Sequence, residues 1–239
     1  MSHLHIPDGV LPALLWVPGL LLMFMLLFWS ARATRDRGPQ LVAFQSALGG
    51  IMLAVMALPV PITAFDYCMT LAGPIGVLLG VAPAFQVSFV VTLILALLGQ
   101  GGFTVIGLNT LVLALGAILA RPIYLWSVAA MGPARAMALA TAVSQLCSTL
   151  CWGVLLWASV VLTPDVAGEH EVQHTIIQVW HRAGTLVIVP LLLLAVALES
   201  LLGYGLAHFL QRVRPDILPA VPGAPVAAVA PAGPGRGAH

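Results

Sequence analysis

Residues 11–31 read LPALLWVPGLLLMFMLLFWSA, and no Asp, Glu, Lys, Arg or His interrupts them. A run of about 20 apolar residues crosses the hydrocarbon core of a bilayer as a helix. Backbone N–H and C=O groups find no water there and must pair within the segment. Arg32, Arg35 and Arg37 follow at once and close the run. The segment is too long for the apolar part of a cleavable signal, and no basic stretch precedes it.

The same reading extends along the chain. A second run covers 41–62, closed by Pro59 and Pro61. Residues 71–98 are apolar but broken by Pro74, Gly80 and Pro83, which predicts a short helix over 74–82 and a fuller one over 84–98. Gly99-Gln100-Gly101-Gly102 reads as a turn, and runs at 105–126, 133–162 and 181–211 complete the series. The expected fold is therefore all-α, a polytopic transmembrane bundle of seven passes that counts the short proline-broken helix as one.

Composition agrees. Of 239 residues, 61% are hydrophobic and 7% charged, against about 25% charged in a soluble domain. Lipid must solvate most of such a surface. The formal charge of +1 gives no reason to expect nucleic acid as a partner, and Lys is absent. Cys68, Cys147 and Cys151 suggest no disulfide framework; Cys147 and Cys151 share a helix face and read as buried packing groups.

Arg32/Arg35/Arg37, Arg135 and Arg212/Arg214 orient the bundle through the excess of basic residues on cytoplasmic loops. The N-terminus then lies outside and the C-terminus inside. Three parts are expected: an extracytoplasmic segment 1–10, a bundle 11–214, and a Pro/Ala/Gly-rich cytoplasmic tail 215–239 whose composition packs poorly. The outer face collects residues 1–9, 63–73, 99–104 and 163–179. The last of these carries Asp165, Glu169, His170, Glu171 and His174, read as a solvated loop that could also gather cations.

The chemistry is concentrated at the front. Met1-Ser2-His3-Leu4-His5 places two imidazoles within five residues of a terminal amine. Neutral imidazole is the commonest metal-ligating side chain. An amine, deprotonated amides and an imidazole together form a planar nitrogen set that suits Ni(II) or Cu(II). Met1, Ser2, His3 and His5 are thus the metal-ligand candidates. In the loop after the second run, Asp66, Cys68 and Met69 offer an oxygen and two soft sulfur donors, and Cys68 and Met69 also read as packing residues at a helix end. Glu199, inside the last run, needs a partner or a polar surrounding. Gln86 and Gln145 fit hydrogen bonds between helices.

His5-Ile6-Pro7-Asp8-Gly9-Val10-Leu11-Pro12 resembles the N-terminal signature of the CbiM/NikM family. Those proteins are membrane-embedded substrate-capture components of energy-coupling-factor transporters for cobalt and nickel. Leu58-Pro59-Val60-Pro61 is similar to the family's proline-rich approach to its ligand loop. Gly101-Gly102-Phe103-Thr104-Val105-Ile106-Gly107-Leu108-Asn109 is similar to its Gly-Gly-x-Thr-x-x-Gly-x-Asn segment. Glu199-Ser200 and Arg212-Val213-Arg214-Pro215-Asp216-Ile217-Leu218 resemble its closing pattern. Each match is short; their order from residue 5 to residue 218 is what makes them specific.

The resemblance implies a bundle in a bacterial or archaeal plasma membrane whose N-terminus tucks into the outer half and holds Ni(II) or Co(II) as cargo, with His5 as the coordinating histidine. Thr104 and Asn109 either hold the terminal segment by hydrogen bonds or satisfy the local backbone. The chain has no G-x-x-x-x-G-K-[ST] phosphate loop, so active uptake implies separate partners, ATPase subunits and a coupling transmembrane protein; the family resemblance also allows for a small auxiliary membrane subunit. Ala138, Ala140, Ala142 and Gly153 are small enough to admit close helix approach in such a complex.

Two departures from the family pattern stand out. Three residues precede Leu4, where the family's chain begins, so a start at Leu4, a Met1-Ser2-His3 chelate and a processed Ser2-His3 terminus all remain open. The loop 63–80 also contains no histidine, which turns attention to Cys68 and Met69 and to copper as cargo. The alternatives are a divergent member binding another soft metal or small solute, and a non-transporting assembly partner. A membrane enzyme finds no support within the spans: neither H-E-x-x-H nor G-x-S-x-G occurs there, nor a pair of carboxylates, and His170-Glu171-Val172-Gln173-His174 lies in the loop 163–179.

Overall fold

The computed structural model describes residues 6, 8–9, 11–58, 60–62, 65–162 and 189–219, without the side chains of 60–62, 65–67 and 160. Seven α-helices occur among these residues: α1 (Ala13–Thr34), α2 (Gly38–Met56), α3 (Ala72–Leu79), α4 (Val81–Leu97), α5 (Ile106–Met131), α6 (Pro133–Leu162) and α7 (Val189–Val213). Five of them are long and apolar enough to cross a membrane, and α4 is a shorter apolar helix. The chain is a multi-pass, helical membrane protein, as its apolar runs require.

The departures from the expected boundaries have local causes. The second run was expected to stay helical to 62, but α2 ends at Met56. Val60–Ile62 instead pairs antiparallel with Phe65–Tyr67, with Val60 opposite Tyr67, Pro61 opposite Asp66 and Ile62 opposite Phe65. Pro59 and Pro61 donate no N–H, and each disfavours helix at the residue before it. The short helix runs over Ala72–Leu79 rather than 74–82, because the break falls at Gly80, not at Pro83. Gly80 has φ +80°, a conformation that costs glycine little. Pro74 and Pro83 sit in the first turns of α3 and α4, where a missing N–H costs no helical bond. The fifth run continues through Pro122 to Met131.

Side-chain links define two ends. At one, the Gln100 Nε2 donates to the Ala57 carbonyl (3.4 Å) beyond the end of α2, and the Gly102 N–H to the Ile6 carbonyl (3.1 Å). At the other, the Ser30 hydroxyl donates to the Ala82 carbonyl (2.7 Å). Gln45 Nε2 there donates to Gln86 Oε1 (2.8 Å), and Gln86 Nε2 donates to Thr34 Oγ1 (2.8 Å). Gln86 therefore joins helices as its position inside an apolar run required.

Helix α3 is eight residues long, about 12 Å at 1.5 Å per residue, whereas α4 with 17 residues covers about 25 Å. Both meet at Gly80, so the start of α3 lies well below the end of α4. The chain after the hairpin thus descends into the bundle before α3 begins. Irregular backbone is tolerated at such depth where protein surrounds it, and Cys68 and Thr70 are buried. Close packing fixes α3 in place: a Cβ on Gly76 would collide with the Ala117 backbone, and one on Gly73 with Thr141 and Ser144. Ala140, expected among the residues facing a partner, is fully buried inside the bundle against α3 and α5 residues such as Val77 and Tyr124.

Candidate functional site: the clamped N-terminal segment and the polar core beneath it

Ile6 is 1% exposed and packs with Leu11, Val105 and Leu108. A buried backbone must have its hydrogen bonds met, and here one side chain meets both sides. The Ile6 N–H donates to Asn109 Oδ1 (3.0 Å) and Asn109 Nδ2 donates back to the Ile6 carbonyl (3.1 Å). Asn109 itself lies in the first turn of α5 and is 3% exposed.

Two residues on, Asp8 meets the turn that precedes α5. Its carboxylate accepts from the Phe103 N–H (3.0 Å), the Thr104 N–H (2.8 Å) and the Thr104 hydroxyl (2.5 Å). The Thr104 hydroxyl is the leading reason that the Asp8 carboxyl titrates below its ordinary range; burial opposes it, and the Thr104 and Phe103 N–H groups add to the lowering. Gly102 is required here, since a Cβ would stand 2.5 Å from the Asp8 carboxylate. Of the two roles open to Thr104 and Asn109, both residues therefore hold the terminal segment. The sequence segment Gly102-Phe103-Thr104-…-Asn109 is a receptor for Ile6 and Asp8.

Below this clamp lies a polar core. The Glu199 carboxylate, 1% exposed within α7, accepts from the Thr70 N–H (2.9 Å) and the Thr70 hydroxyl (3.0 Å). Thr70 has one hydroxyl proton, and the carboxylate takes it. Gln145, whose side-chain oxygen is placed 3.3 Å from the same hydroxyl, is then best satisfied with its amide turned to donate. Thr70, Asn109, Gln145 and Ser148 line a cavity of about 10 Å³, at the threshold for a single water molecule. The Thr110 hydroxyl and the Trp152 indole N–H are buried nearby in sequence with no partner among the described residues. Glu199, read as a structural or partner contact, is an internal one: it ties the segment before α3 to α7. No sequence signal announced the Glu199–Thr70 pairing across 129 positions.

Of the ligand candidates, Met1, Ser2, His3 and His5 lie outside the described residues, as do His170 and His174. Asp66 is described by its backbone alone, within the strand Phe65–Tyr67. Cys68 is a free, buried thiol and Met69 is half-buried; they immediately precede Thr70. No group of three or more His, Cys, Asp or Glu side chains that could hold a metal occurs among the described residues.

The family profile described as "cobalt uptake substrate-specific transmembrane region" matches residues 5–217. Two crystal structures share the fold, each with a TM-score of 0.72. One, a truncated transition-metal transporter, is 19% identical, with 87% of this chain and 99% of that one covered. The other, a transition-metal transporter, is 20% identical, with 87% and 93% covered. No protein of curated function matches this chain.

Proposed function

Because the chain belongs to the cobalt uptake substrate-specific transmembrane family, we propose that it is the metal-capturing membrane subunit of an energy-coupling-factor uptake system, with Ni(II) or Co(II) as its cargo. The observation that carries this reading is the clamp. Ile6 is fixed inside one end of the bundle by Asn109, and His5 is its covalent neighbour. An anchored residue adjoining a histidine lowers the entropy lost when that imidazole closes on a cation. That end is the outer one in the orientation set by the arginines, so the metal is taken from outside. Partner subunits then supply the ATP hydrolysis and the reorientation that release it inward.

The test is metal binding by the purified protein, stripped and then titrated with Ni(II), Co(II) and Cu(II). Stoichiometric binding is expected, lost in His5→Ala or His3→Ala while the helical content stays unchanged. If both variants hold metal as tightly as the parent, the ligand assignment is wrong. Intact mass of the mature protein, with and without metal, reports the processed terminus and the stoichiometry together.

A second reading rests on Cys68, buried at 4% exposure beside Met69 and Thr70. Thiolate and thioether donors select soft ions such as Cu(I). Under that reading Cys68→Ser abolishes binding and His5→Ala does not.

A further inference from the structure

Arg121 is a charge inside the apolar run 105–126 that the arginine clusters at the helix ends do not explain. It lies within α5, fifteen residues beyond Ile106, hence about 22 Å along the helix axis. Against a hydrocarbon core of about 30 Å, that leaves about 8 Å to the far interface, a distance a long arginine side chain partly spans by snorkelling. An arginine at such depth is costly unless an anion or water meets it.

Arg121 makes no hydrogen bond or ion pair among the described residues, and the Asp216 carboxylate at the same end is held by Arg214 at 2.8 Å. Contrast Glu199, whose carboxylate is met by Thr70. Arg121 is half-buried, and its guanidinium rests against Gly80, where a Cβ would stand 2.5 Å from Nη1. It is thus held at the break between α3 and α4 with part of its surface open. Its surroundings there are those of a membrane boundary. Trp126, five residues further along α5, is 79% exposed, and Val81 at the start of α4 is 38% exposed. The Ser30–Ala82 hydrogen bond brings the last turn of α1, which carries Arg32, against the start of α4.

We propose that this face, where α3 meets α4 at Gly80 beside Arg121, binds the phosphate of an anionic phospholipid from the arginine-bearing leaflet. A guanidinium fork matches phosphate oxygens in geometry and charge, and basic pockets between helices on this side of a membrane are suited to such headgroups. A carboxylate on a partner helix fits less well. It would itself have to be desolvated in the bilayer, whereas a lipid phosphate already lies at the interface and its acyl chains run back into the bilayer past the exposed Val81.

The experiment uses the full chain in nanodiscs of phosphatidylglycerol, phosphatidylethanolamine or phosphatidylcholine, followed by native mass spectrometry of the released protein. The parent should keep one phosphatidylglycerol in preference to the neutral-headgroup lipids. Arg121→Gln should weaken that retention roughly tenfold, the scale of one lost charge-assisted hydrogen-bonded contact. Arg121→Lys, which keeps the charge and guards against misfolding, should lie between. Arg35→Gln, at the exposed end of α1, should change nothing. Equal retention of all three lipids by the parent overturns the proposal and leaves a partner's carboxylate as the counter-ion. So does unchanged phosphatidylglycerol retention in folded Arg121→Gln.

Discussion

Asn109 and Asp8 secure the same short segment by opposite means. Asn109 is neutral and buried, and exchanges two hydrogen bonds with the backbone of Ile6. Asp8 is charged and exposed, and gathers two N–H groups and a hydroxyl from the turn before α5. Water can replace what Asp8 accepts; nothing can replace what Asn109 does. Net hydrogen-bond energies in proteins are modest, but a buried group left without a partner loses its full desolvation cost. The buried pairing should therefore decide whether the segment is seated, and the exposed one should tune how firmly.

Asn109→Leu breaks that comparison most directly, since it removes both hydrogen bonds and keeps the branching of the side chain. The Ile6 carbonyl keeps the Gly102 N–H (3.1 Å), but the Ile6 N–H is orphaned. The expected loss is about 1–3 kcal/mol for one buried unsatisfied group, read as a lower unfolding temperature in detergent. Weakened metal retention should accompany it, and proteolysis near residue 10 should become faster. A variant that unfolds at the parent's temperature and resists protease equally would show that hydrophobic packing of Ile6, not Asn109, seats the segment.

The next effect in size belongs to the core below. Thr70→Val deletes the hydroxyl shared between Glu199 and Gln145 and keeps the backbone donor to Glu199. Hydrogen bonds between helices in membrane proteins average about 0.6 kcal/mol and reach about 1.7, so the loss should fall in that range, below that of Asn109→Leu. Because Thr70 follows Cys68 and Met69, metal titration of the same variant sharpens the contrast. Unchanged affinity is expected if the cargo is held by the N-terminal nitrogens, and weakened affinity if the loop donors hold it.

The fold was legible wherever hydropathy alone decides it. The runs at 11–31, 133–162 and 105–126 became α1, α6 and α5 with end shifts of a few residues, the largest being the extension of α5 from 126 to Met131. Hydropathy failed at Val60-Pro61-Ile62, which reads as more of α2 because an apolar strand and an apolar helix end look alike over three residues. Two prolines carried the signal that was needed. The break at Gly80 was misplaced to Pro83 because proline is a stronger punctuator in sequence than a glycine whose φ is unseen. The clamp was legible in part: the resemblance drew attention to Thr104 and Asn109, and left open whether they bind the segment or their own backbone. Glu199 meeting Thr70 could not be read at all, since nothing local links positions so far apart. Arg121 was hidden for a plainer reason, one charge inside a run whose average stays apolar.

The smallest effect concerns Asp8 and acid. Its carboxyl titrates below the ordinary 3.8 because the Thr104 hydroxyl and the neighbouring N–H groups favour the charged form. A depressed folded pKa means that the stabilisation is complete above the unfolded value and is lost as pH falls through the folded one. Protection of the Phe103 and Thr104 amides from hydrogen exchange should therefore be independent of pH, after correction for intrinsic rates, from neutrality down to about 4, and should decline only below that. Asp8→Asn should give weaker protection with no such decline. Metal affinity should begin to weaken much earlier on acidification, near pH 6.5 where free imidazole takes up its proton, and at the same pH in both proteins. Were the amide protection to fall together with the metal near that pH, the turn would be held by the occupied histidine site rather than by Asp8. The two fastenings of the segment would then be one.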